Sequence, residues 1–145
     1  MKPRRVWVIV LATILVGMLA GGTVLALAPA AADDQEDHLI VGTPRDDILV
    51  GTRDWDGILG KGGDDTLRGL RGGDILQGQR GSDKIFGGRG DDNLYGGPGK
   101  DRIFSAMESG FDSDWVSCGK GYDHVRADKW DDVSRNCEDV SRVRP

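Results

Sequence analysis

Gly87-Gly88-Arg89-Gly90-Asp91-Asp92-Asn93-Leu94-Tyr95 is followed directly by Gly96-Gly97-Pro98-Gly99-Lys100-Asp101-Arg102-Ile103-Phe104. The two stretches share one nine-residue pattern, Gly-Gly-x-Gly-x-Asp-x-aliphatic-x. The pattern runs backwards along the chain. Gly42, Gly51, Gly60, Gly69, Gly78, Gly87 and Gly96 form its first column. Asp47, Asp56, Asp65, Asp74, Asp83, Asp92 and Asp101 form the acidic column, and Leu49, Ile58, Leu67, Leu76, Ile85, Leu94 and Ile103 the aliphatic one. A fixed period of this length indicates a solenoid, in which each repeat buries its apolar side chain only by stacking on its neighbours.

The period dictates a shape. Each unit reads as about six residues of turn and three of strand. A second glycine column, Gly63, Gly72, Gly81, Gly90 and Gly99, supplies backbone that needs positive φ. In a short strand alternate side chains face opposite ways, so the aliphatic points inward. Two units on opposite sides make an 18-residue coil, and coils stack as parallel strands. Asp47, Asp65, Asp83 and Asp101 then fall on one edge, and Asp56, Asp74 and Asp92 on the other. Strands about 4.8 Å apart bring like charges close, which opposes folding. A cation between coils reverses that sign. Carboxylates plus carbonyls freed by the turns around Gly60, Gly69, Gly78, Gly87 and Gly96 make an all-oxygen set. Such a set suits Ca²⁺, which accepts six to eight flexible oxygen ligands, better than Mg²⁺.

The pattern resembles the RTX, or haemolysin-type, calcium-binding nonapeptide repeat, GGxGxDxUx. The resemblance covers residues 39–104. It implies an all-β fold, a right-handed parallel β-roll with Ca²⁺ between turns on both edges. Only the last two repeats keep both leading glycines. Thr43, Thr52, Lys61, Leu70 and Gln79 replace the second, and Arg45 and Asp54 occupy the later glycine position of the first two repeats. The N-terminal turns are therefore expected to bind weakly or to act as a cap, leaving sites that use Asp47 or Asp56 less secure.

Composition agrees. All 24 acidic residues but only 16 of the 19 basic ones lie in residues 33–145, a net charge of −8. That part holds 21 Asp, 3 Glu and 20 of the 23 Gly, a turn-rich bias that disfavours a mainly helical protein. The negative charge disfavours nucleic acid as a partner. The numerous acids could mimic a glycosidase pair, but the repeat accounts for them. His38 and His124 stand without catalytic companions. No enzymatic activity is expected.

Residues 1–32 carry only Lys2, Arg4 and Arg5 as charges, followed by an apolar run from Val6 to Ala28 and by Ala30-Ala31-Ala32. This is the layout of a cleaved secretory signal, followed by an acidic linker, 33–38. The run is also long enough to span a bilayer, so an uncleaved membrane anchor remains open. Either way the rest is secreted or displayed at the cell surface. In that setting Cys118 and Cys137 read as a disulfide.

After Phe104 the register slips, Asp101 to Asp114 being thirteen residues. Nine then returns through Asp123 and Asp132. Residues 105–145 are expected to form degenerate repeats and a C-terminal cap, with Trp115, Tyr122 and Trp130 as its core. A short turn of helix in Lys129–Arg142 is the weaker alternative. One outer face is expected to stack Lys84 over Arg102 and Phe86 over Phe104, with Arg68 before them, against Gln77, Asn93 and Tyr95 on the other. Such a stripe suits a cell-surface glycan or protein, unless residues 105–145 fold back and cover it. The resulting reading is an exported Ca²⁺-binding structural or interaction module. A cell-surface adhesin and an accessory of a polysaccharide-acting enzyme are the alternatives.

Overall fold

The computed structural model describes residues 24–27, 38–105 and 111–143. Every regular element among them is a strand. In chain order these are β1 (Val24–Leu27), β2 (His38–Val41), β3 (Asp47–Val50), β4 (Asp56–Gly62), β5 (Thr66–Arg71), β6 (Ile75–Arg80) and β7 (Lys84–Arg89). They continue with β8 (Asn93–Gly99), β9 (Arg102–Phe104), β10 (Trp115–Gly121), β11 (His124–Ala127), β12 (Asp132–Val133) and β13 (Asp139–Arg142). Odd-numbered strands form one seven-stranded sheet and even-numbered strands a six-stranded one, each in sequence order. All pairings are parallel, and coil follows coil at 18 residues, as in Leu67↔Ile85 and Leu76↔Leu94. The chain is a parallel β-solenoid of about six turns.

The core is one side chain per strand. Leu49, Ile58, Leu67, Leu76, Ile85, Leu94 and Ile103 are buried, and Val116 and Val125 continue the column. Burying a side chain of this size stabilises by roughly 1.5–3 kcal/mol. Because the sheets share a single aliphatic layer, no second shell adds to that.

The strands are longer than three residues. Most interior ones run six or seven residues, passing through the first glycine column and the residue after it. The pairing is interrupted at that glycine. Leu59↔Gln77 and Lys61↔Gln79 pair, while Gly60 and Gly78 between them do not. The bend forces the next residue to left-handed backbone, with φ of 82° at Lys61, 86° at Leu70 and 73° at Gln79, where Gly88 and Gly97 stand in later repeats. Of the second glycine column, Gly63, Gly72, Gly81 and Gly90 have positive φ, and Gly99 is not among them.

The tail extends the solenoid rather than folding back. β11 pairs with β9 and β13 with β11, so the described residues of the tail leave the stripe on the odd-numbered sheet uncovered. The four extra residues are absorbed between Phe104 and Asp114. Lys129–Arg142 contains no helix. Trp115, Tyr122 and Trp130 are exposed, not core. Trp115 sits one residue after the acidic column, an outward position, and Val116 takes the inward one. Cys118 and Cys137 form the disulfide, tying β10 to the segment between β12 and β13. Of residues 1–32 only Val24–Leu27 is described, as a strand beside β3; the rest of that segment lies outside the described residues.

Candidate metal centre

The acidic column builds two carboxylate ladders, one along each edge. Asp47, Asp56, Asp65, Asp74, Asp83, Asp92 and Asp101 are all buried, as are Asp114 and Asp123 in the tail. From Asp65 to Asp123 each carboxylate accepts, at Oδ1, the backbone N–H of the aspartate one coil earlier. Asp47 N–H donates to Asp65 at 2.8 Å, Asp65 to Asp83 at 2.8 Å, Asp83 to Asp101 at 2.9 Å and Asp101 to Asp123 at 2.9 Å. On the other edge Asp56 donates to Asp74 at 2.9 Å, Asp74 to Asp92 at 2.8 Å and Asp92 to Asp114 at 2.9 Å. The last rung there is Asp131, which accepts from Asp114 at 3.1 Å. The expected column member Asp132 is instead exposed at the start of β12, because this final step is 17 residues.

The second oxygens have no such partner. Oδ2 of Asp65, Asp74, Asp83, Asp92, Asp101 and Asp123 is buried without a hydrogen bond. A buried polar atom left unpaired costs about 1–3 kcal/mol, and an ionised one more. The strain shows in proton affinity. Burial pushes the carboxyl of Asp74 up to about 8, with Asp92 and Asp56 adding repulsion. Burial likewise raises Asp65, Asp92 and Asp101 to about 7, Asp83 to about 6 and Asp114 to about 8.

The first glycine column makes room for these oxygens. A Cβ on Gly60 would lie 2.4 Å from Asp65 Oδ2 and 2.7 Å from the Gly78 carbonyl oxygen. On Gly78 it would meet Asp83 Oδ2 at 2.2 Å and the Gly96 carbonyl at 2.8 Å. Gly69 is hemmed in likewise by Asp74 and the Gly87 carbonyl. A carboxylate oxygen and a carbonyl oxygen from the next coil therefore crowd the space that a side chain would fill. Among the described residues no three acidic, His or Cys side chains converge on one point. Carboxylates alone would not complete a Ca²⁺ shell, and carbonyl oxygens would have to supply the remainder. The donor set is oxygen throughout and fits a hard cation.

The first two rungs differ. Thr43 donates to Asp47 Oδ2 from its N–H at 2.5 Å and from Oγ1 at 3.0 Å. Thr52 does the same for Asp56, at 2.6 and 3.1 Å. Each Thr Oγ1 also accepts the N–H two residues on, from Arg45 or Asp54, which closes a compact loop without the later glycine. Asp56 Oδ1 stays unpaired, 3.8 Å from His38 Nδ1. His124 Nδ1 lies 3.0 Å from Asp139 Oδ2. These threonine caps were missed in the sequence; the repeated Gly-Thr-x-x-x-Asp of the first two units, shared by no later one, was the available signal.

Residues 39–67 and 68–103 match the family model described as RTX calcium-binding nonapeptide repeat (4 copies). Repeats of this kind bind Ca²⁺, and the buried aspartate ladder agrees with that cofactor. No curated protein and no solved structure matches the chain.

Proposed function

We propose that this chain is an exported structural or interaction module whose coils assemble on Ca²⁺. The orphaned, buried Oδ2 atoms along both edges carry the reading. Asp65, Asp74, Asp83, Asp92 and Asp101 are assigned as carboxylate ligands, with carbonyls of the Gly60, Gly69, Gly78, Gly87 and Gly96 turns completing the shell. The bound ion supplies the positive charge that the ladder lacks. Asp47 and Asp56, already served by Thr43 and Thr52, hold the ion least. Export is supported by the disulfide, which persists in oxidising compartments, and by the basic and apolar lead of residues 1–32. The reading assigns no reaction, since the ladder accounts for the acids.

Calorimetric titration with Ca²⁺ and circular dichroism with and without chelator test it together. Several ions should bind per chain, and chelation should leave the repeats largely disordered. Identical β-rich spectra in chelator and in excess Ca²⁺ would overturn it.

A further inference from the structure

Charge is segregated between the two outer faces. On the even-numbered sheet the outward rows are Leu39, Gly57, Ile75, Asn93 and Trp115, and Val41, Leu59, Gln77, Tyr95 and Ser117. None of these is charged; the first row meets its one charge, Asp132, beside Trp115 at the C-terminal end. On the odd-numbered sheet the rows are Thr66, Lys84, Arg102 and His124, ending at Asp139, and Arg68, Phe86, Phe104 and Arg126, ending at Ser141. Four cations on four consecutive strands surround a phenylalanine pair, on a protein whose residues 33–145 are net acidic.

These cations are available. Arg68, Lys84, Arg102 and Arg126 are exposed, and no ion pair within the described residues involves them. The Phe86 and Phe104 rings stack 4.7 Å apart at 8°, and the Arg68 guanidinium lies 5.3 Å from the Phe86 centroid. The rings therefore satisfy each other face to face and stiffen the row. A depression of about 780 Å³ opens beside it, lined by Lys84, Lys100, Arg102 and Tyr122, and also by Asp83 and Asp101.

We propose that this face binds an anionic, carboxylated or sulfated, polysaccharide. The cations step along the solenoid axis by about 4.8 Å per strand, so they present a flat line of charge that suits an extended polyanion. Half-buried, mutually stacked rings offer no protruding wedge for a bilayer, and the net negative charge of the remaining surface favours a polyanion of spaced charges over a dense one such as duplex DNA. The proposal rests on the Ca²⁺ reading, because Asp83 and Asp101 line the same depression. Ions held at those rungs offset their charge and fix the coils, so binding requires Ca²⁺.

The full chain in Ca²⁺ is titrated with chondroitin sulfate and with hyaluronate, whose charges are spaced along the chain, and with neutral dextran, polyglutamate and phosphatidylglycerol vesicles as comparisons. The two anionic polysaccharides should bind and neutral dextran should not. R102Q/R126Q should weaken binding at least about tenfold, while R80Q/K120Q, with the same change in net charge elsewhere, should leave it within about twofold. K84Q, a single exposed substitution, replaces the first variant if that one loses its Ca²⁺-induced spectrum. Equal losses in both double variants, equal binding of dextran, or equal binding of polyglutamate or vesicles would overturn the proposal. A chain that binds and folds on Ca²⁺ but ignores both polyanions overturns this inference alone; a chain that ignores Ca²⁺ overturns the metal reading first.

Discussion

The two N-terminal turns and the interior turns solve the same electrostatic problem differently. At Asp47 and Asp56 a threonine provides two donors to Oδ2. From Asp65 onward that threonine is replaced by Lys61, Leu70, Gln79 or Gly, and Oδ2 is left bare. The opposite end resembles the beginning. Asp131 accepts from Ser105 Oγ at 2.8 Å and from Asp128 N–H at 2.7 Å at one oxygen, and from Asp114 N–H at the other. The difference teaches that a repeat becomes an end when protein donors complete its carboxylate, and stays a middle with a bare buried oxygen when they do not.

The strongest way to break this comparison is to neutralise the middle without metal. Burial raises the interior carboxyls to between about 6 and about 8 in the folded chain, above their ordinary range near 4. The folded state therefore holds more protons than the unfolded one between those values, and stability falls as pH rises through them. The metal-free chain should gain β structure between pH 8 and pH 4.5, with the full gain only below about 4. Circular dichroism in chelator across that range measures it. A metal-free spectrum that stays flat, or β structure that grows towards alkaline pH, would contradict the sign.

A sharper cut compares Asp83→Ala with Asp47→Ala. Asp83 accepts from Asp65 and donates to Asp101, between two neighbours on its edge. Its loss leaves the buried Asp65 N–H unpaired, about 1–3 kcal/mol, and disturbs two proposed ion sites. Asp47 accepts only from Thr43 among the described residues. Bound Ca²⁺ per chain and the Ca²⁺ midpoint of folding should shift much more for Asp83→Ala. Equal shifts would refute the pairing of middle and end.

Gly60→Ala against Gly62→Ala isolates the space for oxygen. At Gly60 a methyl meets two oxygens within 2.7 Å; at Gly62 its nearest neighbour is 3.7 Å away. The first should cost about 1–3 kcal/mol and weaken Ca²⁺ binding; the second should be near neutral in denaturant titrations.

The smallest effect belongs to the bend. Gln79 sits at φ 73°, where left-handed backbone costs a side-chain-bearing residue roughly 1–2 kcal/mol. Glycine relieves that but gives back 0.5–1 kcal/mol, as a typical order, in chain entropy. Gln79→Gly should therefore raise stability by about 0.5–1 kcal/mol at most, read as a small upward shift in melting temperature. A loss of more than that would mean that Gln79 holds a contact beyond its backbone role.

What the sequence made legible was whatever repeated. The aliphatic column, the aspartate column and the two edges follow from spacing alone, because a solenoid converts period directly into position; the cysteine pair followed from an even count in a chain read as exported. The threonine caps escaped notice because they change a hydrogen-bond donor while leaving the period intact. The bend at Lys61, Leu70 and Gln79 escaped because nothing in a side chain announces a left-handed backbone outside glycine. Asp132 was placed where Asp131 stands because a one-residue shortening is invisible once the pattern has degenerated. Trp115, Tyr122 and Trp130 were placed inside by their size, whereas a core one side chain wide has no room for an indole.

Each interior coil presents an aspartate N–H to the coil after it and an Oδ1 to the coil before it, in the same geometry every time. The two ends of an 18-residue segment are therefore interchangeable with those of any other. Excising residues 66–83 would join Asp65 to Lys84 and restore an aspartate-to-aspartate rung between Asp65 and Asp101. Geometry alone therefore permits whole coils to be added or removed in the middle, while the terminal units, which carry unlike chemistry, admit no such exchange. The molecule has a fixed grammar and an adjustable length.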